Sequence, residues 1–177
     1  MRPERLPEVS LLASAFFVAS LIQVPMGFTT VHLVLSGLLG LLLGWTTFPV
    51  VFVGVLLQYL LFQEGGITTL GLNTFNMAAP GVVCWYLFSG LVSQKDARLV
   101  AAGGAAAGAL SVLVGASLVA AAIWACGSGF RVFSLVVWAG DAVVAIIEAV
   151  VTAAIVVFLR RVRPETLDAP RLAMHKW

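Results

Sequence analysis

Residues 133–159 read FSLVVWAGDAVVAIIEAVVTAAIVVFL, an apolar run in which Asp141 and Glu148 are the only charged residues. A helix needs about 20 mostly apolar residues to cross the hydrocarbon core of a bilayer, so this run is long enough to span a membrane. Applied to the rest of the chain, the same criterion gives six stretches near residues 9–24, 30–44, 46–62, 72–92, 99–125 and 133–159. We predict an all-α, polytopic membrane helix bundle of about six transmembrane helices.

The overall composition agrees with a membrane protein. The 177 residues are 61% hydrophobic and 10% charged, and the mean hydropathy is +1.07. Soluble domains contain about 45–50% apolar and about 25% charged residues. Such a low charge content excludes a soluble globular enzyme, and the high hydrophobicity excludes intrinsic disorder. We predict a single transmembrane domain over residues 1–177, with a helix bundle at 9–162 and cytoplasmic tails at 1–8 and 163–177.

The basic residues predict the orientation of the bundle. If the N-terminus is cytoplasmic, Arg131 is the only one of the ten basic residues on the outer side. Positively charged residues concentrate in cytoplasmic segments. An even number of spans with both termini in the cytoplasm is therefore expected, which places residues 29–32 and 65–76 on the outer side. The nine residues predicted inside are Arg2, Arg5, Lys95, Arg98, Arg160, Arg161, Arg163, Arg171 and Lys176.

Motifs for catalysis are missing from the sequence. Neither Lys95 nor Lys176 follows a glycine, so there is no phosphate-binding loop, and we expect no ATP hydrolysis by this chain. There is also no nucleophile elbow and no H-E-x-x-H helix. Cys84 and Cys126 have no partner at metal-ligand spacing, which favours two small buried hydrophobic residues over a disulfide or a metal site. We predict that the protein is not an enzyme and holds no cofactor.

A few polar residues stand out against this apolar background. His32 lies one turn into the second predicted span, at its outer end, and is either a metal ligand or a hydrogen-bonded histidine of the core. The polar, glycine-punctuated segment 63–77 contains Asn73 and Asn76, three residues apart. Irregular backbone at membrane depth is tolerated only where it is buried in protein or lines a cavity. These asparagines are either site residues or a helix cap with interhelical hydrogen bonds.

Asp141 and Glu148 lie seven residues apart, on one face of the last predicted span. An acidic residue near the middle of a bilayer costs about 2.5–3.5 kcal/mol on insertion scales. Both side chains are therefore expected to point into the bundle. A structural hydrogen bond is favoured over a proton or cation path, because no basic residue lies at a matching depth.

Three stretches resemble one known family. TVHLVLSGLLG at 30–40 resembles the histidine-containing helix of the CbiM/NikM family, the substrate-capture (S) components of energy-coupling-factor (ECF) transporters for cobalt and nickel. GGITTLGLNTFNMA at 65–78 is similar to the family's most recognisable stretch. IEAVVT at 147–152 and FLRRVRPE at 158–165 resemble its C-terminal helix and the exit from it. The resemblance covers about residues 20–167, with the motifs in the family's order.

The resemblance implies a binding site and a set of partners. Family members bind Ni²⁺ or Co²⁺ through an N-terminal Met-His pair and a further imidazole, which would come from His32 here. Asn73 and Asn76 would orient the metal ligands. The implied partners are an ECF coupling transmembrane protein, ATP-binding cassette ATPases and a small accessory membrane subunit, in the plasma membrane of a prokaryote. The transported Co²⁺ or Ni²⁺ is the only implied ligand, and no nucleic acid is involved.

The sequence departs from the family pattern in two places. It begins Met1-Arg2-Pro3-Glu4, without a histidine at position 2 and without a counterpart of the family's first helix. We expect a late start site, a truncation or a separately encoded first segment. Asp141 occupies a position where many relatives have a histidine. The first departure favours the alternative of a membrane-embedded assembly subunit without its own metal site, and an S component for an organic substrate is a third hypothesis.

Overall fold

The computed structural model describes residues 6–26, 29–125, 127, 129 and 131–174. Helices account for most of these residues, and one short antiparallel hairpin, β1 and β2, interrupts them. The fold is an all-α membrane helix bundle, as predicted. Its elements are α1 (Leu6–Ser20), β1 (Gln23–Met26), β2 (Thr29–His32), α2 (Ser36–Leu43), α3 (Thr47–Phe62), α4 (Leu70–Val92), α5 (Ala97–Ala125), α6 (Arg131–Val162) and α7 (Pro164–Met174).

The last three predicted spans are confirmed within a few residues by α4, α5 and α6, each long and apolar enough to cross a membrane. The second and third predicted spans correspond to two shorter helices, α2 and α3, within the apolar stretch Ser36–Phe62. A single turn of 3₁₀ helix at Gly44–Thr46 divides it into α2 and α3. Gly44 has a φ of 55°, a conformation that glycine adopts readily. Near the N-terminus, Val9–Ser20 forms a shorter apolar helix.

The predicted helical position of His32 was wrong. β2 ends at His32 and pairs with β1 in an antiparallel register that places Gln23 opposite His32. Pro25 disfavours helical backbone at Val24, so the first helix does not reach its predicted end at that residue. The β-branched run Thr29-Thr30-Val31 favours an extended strand. Helical structure therefore resumes only at Ser36, six residues later than the predicted second span begins.

Close backbone contacts place α2 at the centre of the bundle. All eight of its residues are buried. A Cβ atom on Gly40 would lie 1.9 Å from the carbonyl oxygen of Gly81 in α4, and one on Gly37 would lie 2.4 Å from that of Ala107 in α5. Small residues allow such approach between membrane helices. Cys84 is a buried free thiol, as predicted, and Cys126 lies outside the described residues.

The segment predicted as a C-terminal tail, 163–177, is helical over its described part. Leu167 of α7 is fully buried, and Asp168 pairs with Arg160 of α6 at 2.9 Å. Arg160 also donates to the backbone carbonyls of Ser93 and Gln94, between α4 and α5, at 2.5 and 3.1 Å. The end of α6 and the α4–α5 connector therefore lie at the same end of the bundle.

Candidate metal site

The connection between β2 and α2, residues 33–35, is irregular backbone inside the bundle. The N–H of Leu33 donates to the carbonyl of Ile22 at 3.4 Å, which closes the open end of the hairpin. Leu35, the residue before α2, has a left-handed φ of 52° and makes no side-chain cap to the helix. The first N–H groups of a helix lack partners within it. The start of α2 therefore needs a hydrogen-bond acceptor from elsewhere in the fold.

Glu148 of α6 supplies that acceptor. Its Oε1 accepts hydrogen bonds from the N–H of Val34 at 2.5 Å and from the N–H of Leu35 at 2.6 Å. The side chain of Glu148 is fully buried. A carboxyl group at a helix N-terminus also interacts favourably with the helix dipole. The predicted inward orientation of Glu148, with structural hydrogen bonds, is confirmed.

Two polar atoms next to this contact have no hydrogen-bond partner among the described residues. They are the second carboxyl oxygen of Glu148 and the hydroxyl of Thr152, one turn further along α6. Gly108 of α5 packs over both residues, and a Cβ there would lie 2.9 Å from the Thr152 hydroxyl. Asp141 is only half-buried and forms no hydrogen bond with any described residue. The two acids of α6 thus have different environments, and Glu148 alone contacts the β2–α2 connection.

The two asparagines lie in the first turns of α4. Asn73 is half-buried, and its amide donates to the hydroxyl of Thr69, which precedes the helix, at 3.5 Å. Asn76 is buried, with 8% of its surface exposed. Pro80 has no N–H to donate to the carbonyl four residues before it, so the Asn76 carbonyl lacks its helical partner. This free carbonyl oxygen faces Gly115 of α5. The Asn76–Pro80 spacing is visible in the sequence and could have identified this carbonyl oxygen.

The structure describes only part of the predicted site. Along α5, Gly108 faces Glu148 and Gly115 faces Asn76, so these contacts lie about 10 Å apart along the helix axis. No hydrogen bond in the described part of the chain joins either asparagine to the hairpin. For His32 the structure describes the backbone but not the side chain. The described side chains contain no group of three His, Cys, Asp or Glu that could hold a metal ion.

A cavity of about 320 Å³ lies at the other end of α6. Three basic side chains, Lys95, Arg160 and Arg161, line it, together with Ala97, Val100, Val157 and Pro164. Like charges repel, and the low dielectric of protein strengthens that repulsion. This cavity is therefore unsuited to a divalent cation, and the hairpin end of the bundle is the better candidate.

Comparison with known proteins identifies the family. A family model described as the cobalt uptake substrate-specific transmembrane region, CbiM, matches residues 1–166. The chain belongs to the CbiM family. A CbiM-family relative from Haemophilus influenzae, a putative metal transport protein, is 38% identical over 175 residues, covering 95% of this chain and 82% of that protein. The predicted family membership is confirmed.

Two further proteins are similar to this chain. The fused nickel transport protein NikMN of Rhodobacter capsulatus is 40% identical over 80 residues, 44% of this chain and 23% of that protein. A crystal structure of a truncated transition metal transporter has a TM-score of 0.69 at 23% identity, covering 91% of this chain and 83% of the other, and so has the same fold. This chain is a multi-pass transport component of the CbiM family, which is a family of transporters rather than enzymes.

Proposed function

We propose that this chain is the substrate-binding membrane component of an ECF-type transporter that takes up Co²⁺ or Ni²⁺. The observation that carries the proposal is the hairpin ending at His32, whose continuation is bound inside the bundle by Glu148. The sequence has no ATP-binding motif. ATP-binding cassette ATPases and a coupling transmembrane protein would therefore supply the energy, with a small accessory membrane subunit as a further partner.

In this proposal the metal ion is the transported substrate and no resident cofactor is needed. The imidazole of His32 would be one ligand, since imidazole is a common ligand of nickel and other first-row metals. Asn73 and Asn76 would orient ligands or line the path to them. The carbonyl of Asn76, freed by Pro80, adds an oxygen acceptor on the same helix.

We further propose that the hairpin faces the exterior and that both termini of this chain are cytoplasmic, in the plasma membrane of a prokaryote. The contacts of Arg160 with Ser93 and Gln94 support this orientation. They place two basic segments, the α4–α5 connector and the end of α6, at one end of the bundle. Positively charged residues are retained on the cytoplasmic side.

A membrane-embedded assembly subunit without its own metal site is the second candidate function. The observation in its favour is that the described side chains offer no group of three metal-ligating residues. A zinc-like closed site needs about four ligands, and a single imidazole is far from that number. Metal titration separates the two functions.

Replacement of His32 by alanine is the direct test. The purified chain, and a version extended at its N-terminus by the Met-His segment of a relative, are titrated with Co²⁺ and with Ni²⁺ by calorimetry. His32→Ala should weaken binding at least about tenfold, since even residues that only support metal ligands contribute about 10–100-fold in affinity. His175→Ala, which removes the other histidine of the chain, should leave the affinity unchanged. Equally weak binding by all variants would favour the assembly subunit.

A further inference from the structure

We infer that Glu148 is a positioning residue for His32: its carboxyl group holds the backbone that follows the histidine and so sets where the imidazole is presented. This inference rests on the proposed role of His32 in metal binding. It assigns a function to a buried acid that lies in a different helix, 114 positions further along the chain from Val34.

His32 lies close along the chain to the residues that Glu148 binds. Only Leu33 separates His32 from Val34, the first residue bound by Glu148. Neighbouring Cα atoms are 3.8 Å apart, so the Cα atoms of His32 and Val34 lie within about 8 Å of each other. Leu33 itself is bound to Ile22 across the hairpin, and β2 also packs against α6. A shift of the Glu148 carboxyl group would therefore also move the backbone of His32.

The backbone before α2 depends on the Glu148 acceptor. Leu35 is buried, so water does not compensate its N–H group, whereas Val34 is half-buried. A buried donor left without an acceptor is destabilising. Leu35 also has a left-handed φ, which any residue with a Cβ atom disfavours and which the surroundings must stabilise. Without the Glu148 acceptor, the connection would relax to a different backbone conformation.

A carboxyl group in the middle of a membrane helix is energetically unfavourable. The two short hydrogen bonds to Val34 and Leu35 explain why Glu148 is present there. Among the described residues no other hydrogen bond accounts for it, since its second oxygen has no described partner.

Two substitutions of Glu148 test whether metal binding depends on the position of its acceptor oxygen or on its charge. Glu148→Gln removes the charge but keeps an acceptor oxygen at the same distance from the main chain. Glu148→Asp keeps the charge but shortens the side chain by one carbon–carbon bond, about 1.5 Å. Thr152→Val, one turn along the same helix, removes a buried hydroxyl that has no partner among the described residues and serves as the matched control.

Co²⁺ is the probe. The chain is used with or without the N-terminal extension, whichever version binds Co²⁺ more tightly. We expect Glu148→Asp to weaken Co²⁺ binding about tenfold, the scale found for residues that orient metal ligands, and to change the visible absorption spectrum of the bound ion. Glu148→Gln should bind within about threefold of the unchanged chain and give its spectrum, because the hydrogen-bond acceptor is retained. Thr152→Val should match the unchanged chain in both respects. Unfolding temperatures recorded in parallel identify any variant that fails to fold.

Each outcome decides the inference. Weak binding by Glu148→Asp together with normal binding by Glu148→Gln supports it, and the rescue by glutamine is not expected of a directly ligating carboxylate. Normal binding by Glu148→Asp together with weak binding by Glu148→Gln overturns the inference and leaves the proposed function intact. His32-dependent binding that is the same in all variants has the same consequence. If the unchanged chain shows no His32-dependent binding, the proposed function fails, and the inference fails with it.

Discussion

Replacing Gly40 with alanine should destabilise the helix bundle by about 3 kcal/mol or more. The added Cβ would lie 1.9 Å from the carbonyl oxygen of Gly81 and 2.3 Å from its carbonyl carbon. These are backbone atoms of α4, so no side chain can rotate to make room. The two helices would have to separate, although every residue of α2 is buried in the bundle. Thermal unfolding of the purified protein in detergent, followed by circular dichroism, measures the loss.

Gly71→Ala is the matched control for Gly40→Ala. Gly71 also lies in a helix, α4, but nothing lies within 4 Å of the position that its Cβ would occupy. Alanine stabilises a helix interior by about 1 kcal/mol relative to glycine. The control should therefore leave stability unchanged or raise it slightly. Equal unfolding temperatures for Gly40→Ala and the unchanged protein would contradict the close packing of α2 on α4.

Arg160→Leu should destabilise the basic end of the bundle by about 2–3 kcal/mol, the range for hydrogen bonds made by charged groups. The Arg160 guanidinium bridges three elements by binding the carbonyls of Ser93 and Gln94 and the carboxylate of Asp168. Its side chain is 20% exposed, so water replaces these bonds only in part. Loss of the bridge should release α7 and the α4–α5 connector. Limited proteolysis at residues 93–96 and at 163–174, combined with thermal unfolding, detects this release.

The neighbouring Arg161 provides the control. It is exposed and lines the same basic cavity, and it makes no hydrogen bond or ion pair with the described residues of the two segments. Arg161→Leu changes the net charge by the same amount, and exposed charges contribute about 0–1 kcal/mol to stability. If both substitutions had the same effect, the stabilisation would come from the charge of this surface rather than from the bridge made by Arg160.

The sequence was sufficient to predict the last three membrane helices. α4, α5 and α6 lie close to the predicted stretches 72–92, 99–125 and 133–159. Transfer of a helix into a bilayer depends on the summed hydrophobicity of its residues, which is a local property of the chain. The hairpin was missed because each of its strands adjoins an apolar run, and summed hydropathy does not distinguish a strand from a helix at the end of such a run. Pro25 and the β-branched run after it were the available signals.

The candidate site could be predicted only in part. The family motifs identified His32, Asn73 and Asn76, and their roles in metal binding stay predictions. The sequence also showed that Glu148 should point into the bundle, because lipid penalises an exposed acid. It did not show which group Glu148 binds. That contact joins it to Val34 and Leu35, across more than one hundred residues.

Local chemistry and long-range packing thus account for different properties of this protein. Hydropathy, basic residues and missing motifs were enough to establish a multi-pass membrane protein, and the family motifs pointed to cobalt or nickel transport. Only the tertiary structure showed that α2 begins inside the bundle, capped by a carboxyl group from α6. The physical reason is that a buried N–H group must find an acceptor wherever the fold provides one. Which acceptor it finds depends on how the helices pack.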